Sequence, residues 1–209
     1  MNTEIIPTGT FDENCAVISN GREALILDPG YDADQIETIL RKNGLTVAAY
    51  LCTHGHADHL NALAALHKNH PAPVYIHADD HRWAFSPQNQ IPPYYPVPEK
   101  PDADFIHPET SNAWKIGGLD FQCLETPGHT PGGVCYYFEK EKVLFAGDTL
   151  FKGSCGRTDL PGGDARTLSR SLKKLAVLPD DITVYSGHGD ATTIGHEKLT
   201  NFYMQQAAR

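Results

Sequence analysis

Residues 53–59 read Thr-His-Gly-His-Ala-Asp-His, and no other stretch restricts the folds open to this chain as strongly. His54, His56, Asp58 and His59 place four ligand-type side chains within six residues. Packed in a folded protein, such groups repel and desolvate one another unless a cation compensates. The run follows an apolar stretch, 47–52, that reads as a strand. Three more ligand-type residues end apolar runs in the same way, in Pro127-Gly128-His129, Ala146-Gly147-Asp148 and Ser186-Gly187-His188. Singly, each reads as a turn or hydrogen-bonding residue. Together they call for a sheet architecture whose strand ends converge on one edge, where loops carry sites in α/β folds. A glycine beside each ligand lets the main chain turn close to an ion.

His54 and His56 lie two apart and project to one side of an extended segment, whereas Asp58 and His59 come from the turn that follows. The set divides into His54, His56 and His129 for one ion and Asp58, His59 and His188 for another. Asp148 is the expected bridge, since one carboxylate can serve two cations about 3.5 Å apart. A water between such ions loses its proton near neutral pH. Hydroxide oriented by Asp58 is therefore the expected nucleophile, and no serine or cysteine is needed. Imidazole and carboxylate ligands suit zinc first, with iron or manganese also admissible. His67, His70, His77, His81, His107 and His196 stand alone and read as ordinary surface or loop residues.

Around these motifs the pattern predicts mixed α and β layers in a single domain over residues 1–209, with no internal repeat or linker. Strands are expected at 16–19 and 24–27, joined by an Asn20-Gly21 hairpin turn. Further strands are expected at 47–52, 74–77, 119–124, 133–138, 143–146 and 182–185. Apolar residues at helical spacing predict helices over 32–42, 57–69, 165–175 and 195–206. Residues 86–108 hold seven of the 15 prolines and predict an extended loop.

A net charge of −9 argues against nucleic acid or an anionic membrane as partner. Residues 1–11 lack a basic segment followed by an apolar one, which predicts a cytoplasmic chain, monomeric or homodimeric. Five scattered cysteines without a CxxC pair are expected to be reduced.

Asp28-Pro29-Gly30, THGHADH at 53–59, PGHTPGG at 127–133, GDTLF at 147–151 and GHG at 187–189 resemble the motifs of the metallo-β-lactamase superfamily. The resemblance runs from Asn14 to the C-terminal helix. It implies an α+β fold, the αββα four-layer sandwich, with a two-metal site at one edge. It also implies that Asp28 orients a ligand histidine, although Asp-Pro-Gly reads equally well as a turn. Aspartate at 148, where secreted β-lactamases of this superfamily commonly carry cysteine, points to the thioesterase branch.

Residues 147–164 resemble the short bacterial form of glyoxalase II-like hydrolases, which cleave small-molecule thioesters such as S-lactoylglutathione. Arg157 matches a position that contacts the thiol part of the substrate in the longer enzymes, and reads equally well as half of a loop salt bridge. Those enzymes carry a C-terminal helical domain that this sequence lacks, which leaves glutathione itself open. Trp83, Phe85, Tyr94 or Tyr95 would either cover an acyl group or pack beneath the proline-rich loop. Residues 154–159 also resemble iron-dependent persulfide dioxygenases, and a metal-binding protein without catalysis is the third reading.

Overall fold

The computed structural model describes residues 1–108 and 113–207. Strands β1 (Asn2–Thr8), β2 (Glu13–Asn20) and β3 (Glu23–Leu27) form an antiparallel run; Asn20 pairs with Glu23, so the hairpin turns one residue later than expected, at Gly21-Arg22. Helix α1 (Ala33–Asn43) crosses to β4 (Thr46–Leu51), parallel to β3. A 3₁₀ turn (Ala57–His59) and α2 (Leu63–Asn69) lead to β5 (Val74–Tyr75), then α3 (Ala78–Ala84) and β6 (Phe105–Ile106), which complete a six-stranded sheet.

The second sheet starts as a meander of β7 (Ala113–Ile116), β8 (Leu119–Glu125), β9 (Val134–Phe138) and β10 (Val143–Gly147). A small hairpin of β11 (Leu150–Phe151) and β12 (Ser154–Cys155) and helix α4 (Ala165–Leu175) come next. Strands β13 (Thr183–Ser186), parallel to β10, and β14 (Thr192–Thr193) finish this sheet, and α5 (Ile194–Thr200) and α6 (Phe202–Ala207) close the described chain.

Alternation along the strands builds the layers. Ile18, Leu25 and Leu51 of the first sheet face Phe121, Tyr136, Phe138 and Phe145 of the second. Their neighbours Val17, Ile26 and Tyr50 pack under Ile36 and Leu40 of α1 and Leu63 and Leu66 of α2. On the far side Cys135, Tyr137 and Val184 pack under α4, α5 and α6. Strand β9, Val-Cys-Tyr-Tyr-Phe, is buried along its whole length because both its faces are covered. The result is the αββα sandwich of the metallo-β-lactamase fold.

This topology also assembles the site. Strands β8 and β10 each run antiparallel to β9, and β13 runs parallel to β10, so all three end on one edge. Strands β3 and β4 are parallel and deliver Asp28 and His54 together. Val134 N–H donates to the Thr53 carbonyl at 2.8 Å, and Asn14 N–H to that of Gly187 at 2.7 Å, tying the sheets together there.

Four further expectations need correction. The helix expected over 57–69 breaks because Ala62 N–H bonds to the Pro29 and Gly30 carbonyls instead of continuing the spiral. That over 195–206 breaks at Asn201, whose side-chain oxygen accepts from Tyr203 and Met204 N–H and starts α6. The strand expected over 74–77 stops at Tyr75, because His77 caps α3, its Nδ1 accepting from Asp79 N–H. The loop expected over 86–108 contains the two residues of β6.

Gly128 has φ +132°, and a Cβ there would lie 2.2 Å from the main-chain nitrogen of Leu168 in α4. Because the obstacle is backbone, Gly128→Ala is expected to cost about 2–3 kcal/mol. Calorimetry should show the thermal midpoint lowered by about 5–10 °C.

Candidate metal centre

Seven side chains meet at the shared edge. His54, His56 and His129 form one group and Asp58, His59 and His188 a second, with the ligand atoms of each group within 4.8 Å of one another. Asp28 with His54 and His59 meets the same limit, but the Asp28 carboxylate is already engaged. Asp148 lies between the groups. One carboxylate oxygen is 3.4 Å from His129 Nε2, and the other is 3.5 Å from His59 Nε2 and 3.8 Å from His188 Nε2. Asp58 faces His188 Nε2 at 3.5 Å. The six solitary histidines join neither group.

The surroundings anchor Nδ1 of four of the five rings. Asp28 accepts from Thr53 N–H at 2.6 Å and from the Thr53 hydroxyl at 2.5 Å. With its only proton given to Asp28, Thr53 Oγ1 accepts from His54 Nδ1 at 3.0 Å. His59 Nδ1 donates to Asp28 at 3.1 Å, His129 Nδ1 to the Arg157 carbonyl at 2.8 Å, and His188 Nδ1 to the Phe11 carbonyl at 3.0 Å. Four imidazoles therefore anchor Nδ1 outward and turn Nε2 inward, the orientation that binds metal through Nε2. Burial acts to lower His59 and His188, but Asp148 and Asp58 outweigh it and push both up, so a bound cation would displace a proton from each.

Two of these inward nitrogens have no hydrogen-bond partner in the protein. His54 Nε2, His59 Nε2 and one Asp148 oxygen are buried without a hydrogen-bond partner. His56 Nδ1 and His129 Nε2 approach to 2.9 Å. Burial, then His129, pushes His56 down to about 4, and burial with the surrounding imidazoles takes His54 well below the usual range, so both are neutral at pH 7. Burial acts to raise the Asp148 carboxyl, yet His59, His188 and His129 outweigh it and keep the carboxylate ionised. Converging imidazoles, a carboxylate and orphaned inward atoms fit divalent cations.

The chain also passes close to the ligands at Gly187, where a Cβ would lie 2.2 Å from an Asp148 oxygen and 2.8 Å from His59. Arg157 sits beside this centre through its main chain, while its guanidinium pairs with Asp159 at 2.7 and 2.8 Å. Cys155, Arg157, Asp159, Leu168, Leu172 and Tyr203 line a cavity of about 510 Å³ next to it. Tyr95, 2% exposed, accepts from Phe11 N–H at 3.1 Å, and so steadies the loop whose carbonyl orients His188. Tyr94 is half exposed, 5.3 Å from the Phe11 ring.

Sequence reasoning missed three buried groups. Glu13, bonded to the Thr8 hydroxyl, has its other oxygen 3.7 Å from His59 Nδ1. Asp80 reaches both ligand loops, and Asn89 donates to the Gly55 carbonyl. No pattern marks them: Asp80 stands in an Ala-Asp-Asp-His stretch that looks like any acidic helix start.

A four-layer sandwich with paired histidine and aspartate clusters on one edge defines a class, the metal-dependent hydrolases built on that edge. The chain belongs to the metallo-β-lactamase superfamily, whose model matches residues 8–188. Hydroxyacylglutathione hydrolase GloC of Haemophilus influenzae is 36% identical over 210 residues, 98% of each chain. Among solved structures, BLEG-1 B3 metallo-β-lactamase superposes with a TM-score of 0.90 at 39% identity, covering 97% of this chain and 99% of that one. TTHA1623 in a di-iron-bound form gives 0.84 at 34% identity, covering 96% and 99%. No helix among the described residues is long and apolar enough to cross a membrane.

Proposed function

We propose that this protein hydrolyses small-molecule thioesters with two divalent cations, zinc or iron, shared between the clusters through Asp148. The observation that carries the two-ion reading is the Asp148 carboxylate, one oxygen turned to each cluster. The similarity to a hydroxyacylglutathione hydrolase over almost the whole chain supports the thioester as substrate. When bound, two cations polarise a carbonyl oxygen and lower the pKa of a water held between them.

The chain does the rest. His54, His56 and His129 would hold the first ion and Asp58, His59 and His188 the second. Burial raises the Asp58 carboxyl, but His59 and His188 outweigh it and keep its oxygen an acceptor able to orient a water proton. A thiol leaving group departs as thiolate, so no side chain has to protonate it. The cavity beside His129 is large enough to take the thiol portion, with Arg157 able to exchange Asp159 for a substrate carboxylate.

Metal-loaded protein is expected to turn over thioesters of small thiols and to consume no oxygen with a persulfide. Oxygen uptake without thioester turnover would replace this reading with a dioxygenase. Phe11, whose carbonyl holds His188, and Tyr94, packed against the Phe11 ring, offer an aromatic wall for the acyl group. Tyr94→Ala is then expected to raise KM for apolar acyl thioesters about tenfold while leaving kcat near the parent value. Steady-state kinetics over an acyl series checks this.

A further inference from the structure

Asp80 lies outside every motif that marks the metal centre, yet it is completely buried. Its carboxylate accepts from Gly55 N–H at 2.9 Å and from the Thr130 hydroxyl at 2.7 Å through one oxygen, and from Gly132 N–H at 2.7 Å through the other. Gly55 lies between His54 and His56, and Thr130 directly follows His129. One side chain therefore bonds to both loops that supply the first cluster. The same segment holds Gly55 from its other end, where Asn89 Nδ2 donates to the Gly55 carbonyl at 2.7 Å and to that of Ala84 at 2.6 Å.

Space around the carboxylate is tight. A Cβ on Gly132 would lie 2.8 Å from an Asp80 oxygen, and one on Gly55 would lie 3.2 Å from both the Asp80 Cβ and the Trp83 ring. The Trp83 ring also packs 5.4 Å from that of His56. The second cluster has a different support, because Asp28, Phe11 and Glu13 hold or flank His59 and His188 and none of them touches Asp80.

We propose that Asp80 is the positioning residue of the first cation site alone: it sets the separation of the His54–His56 loop from the His129 loop, and the second site does not depend on it. The inference rests on reading the clusters as cation sites and is independent of the substrate. A buried carboxylate bonded to two main-chain N–H groups and a hydroxyl fixes ligand position in the way outer-shell partners do, and loss of such a partner typically weakens metal binding 10–100-fold.

The test is competition between the zinc-loaded protein and a chelator, read as ions retained per chain, with the spectrum of the cobalt-substituted protein as a second readout. Asp80→Ala is expected to weaken one site on the order of 10–100-fold and leave the other at its parent affinity. Half of the cobalt signal would then change. Asp80→Asn preserves volume and replaces one acceptor oxygen with a donor, so it should weaken the same site even where the alanine variant folds poorly. Asp80→Glu, which keeps the charge, should recover part of the loss. Leu40→Ala, a core change in α1, which carries no ligand and lines no part of the site, serves as the stability control and should keep both ions. Two ions at parent affinity in both Asp80→Ala and Asp80→Asn would overturn the proposal, as would equal loss from both sites. Failure of thioester turnover with selective loss intact would overturn the substrate reading and leave Asp80 in place.

Discussion

Asp148→Ala is expected to lower thioester turnover by on the order of 10³-fold and to reduce bound metal from two ions per chain to one or none. Its oxygens lie 3.4 Å from His129 Nε2 on one side and 3.5 Å from His59 Nε2 on the other, and unlike Asp28 it is not tied up by Thr53. Removing it takes away the shared ligand and the negative charge that offsets two cations in a buried setting. The fold should tolerate the change, since one Asp148 oxygen has no hydrogen-bond partner to lose. Calorimetry of the metal-free variant should therefore show a midpoint within a few degrees of the parent. Asp148→Cys keeps a ligand at the position, and one cation near His129 should survive. Retained turnover in the alanine variant would remove Asp148 from the centre.

Asp28→Ala should have the largest effect on stability as well as a strong effect on the site. Asp28 is buried and accepts from Thr53 N–H, the Thr53 hydroxyl and His59 Nδ1. It also sits at φ 46°, a left-handed conformation that aspartate tolerates better than alanine. Truncation strands a main-chain donor and frees two histidine rings, one directly and one through Thr53. A cost of about 3–5 kcal/mol follows, a fall of about 10 °C in the midpoint of the metal-free protein. Metal affinity should drop on the order of 10–100-fold at the site that includes His59. A variant that loses metal with unchanged stability would mean that the carboxylate acts on the ion rather than through Thr53 and His59.

The positions that converge on this edge could be read from the sequence because ligand chemistry leaves a dense local trace. His54, His56, Asp58 and His59 cannot be packed together cheaply without a cation, and His129, Asp148 and His188 each follow an apolar run and a glycine. The layers were readable for a related reason, since β4, β9 and β10 are largely continuous apolar runs and β8 alternates apolar with polar residues. Groups that steady the ligands leave no such trace. Asp80 acts through contacts with residues 25, 50 and 52 positions away, and Glu13, at the start of β2, faces a histidine from beyond β4. Their burial depends on tertiary packing, and a single acidic residue in a short helix or strand carries no sign of it. Strand β1 and helix α3 were also invisible, one because Pro7 interrupts its pattern and the other because seven residues are too few to show a period.

Two ions divided by Asp148 form the central claim, and titration of metal-free protein tests it most directly. Zinc is added in fractions of an equivalent while bound metal and thioester hydrolysis are followed together. Two equivalents bound, with hydrolysis rising to its maximum only as the second site fills, is the predicted result. Saturation of both binding and hydrolysis at one equivalent would contradict it.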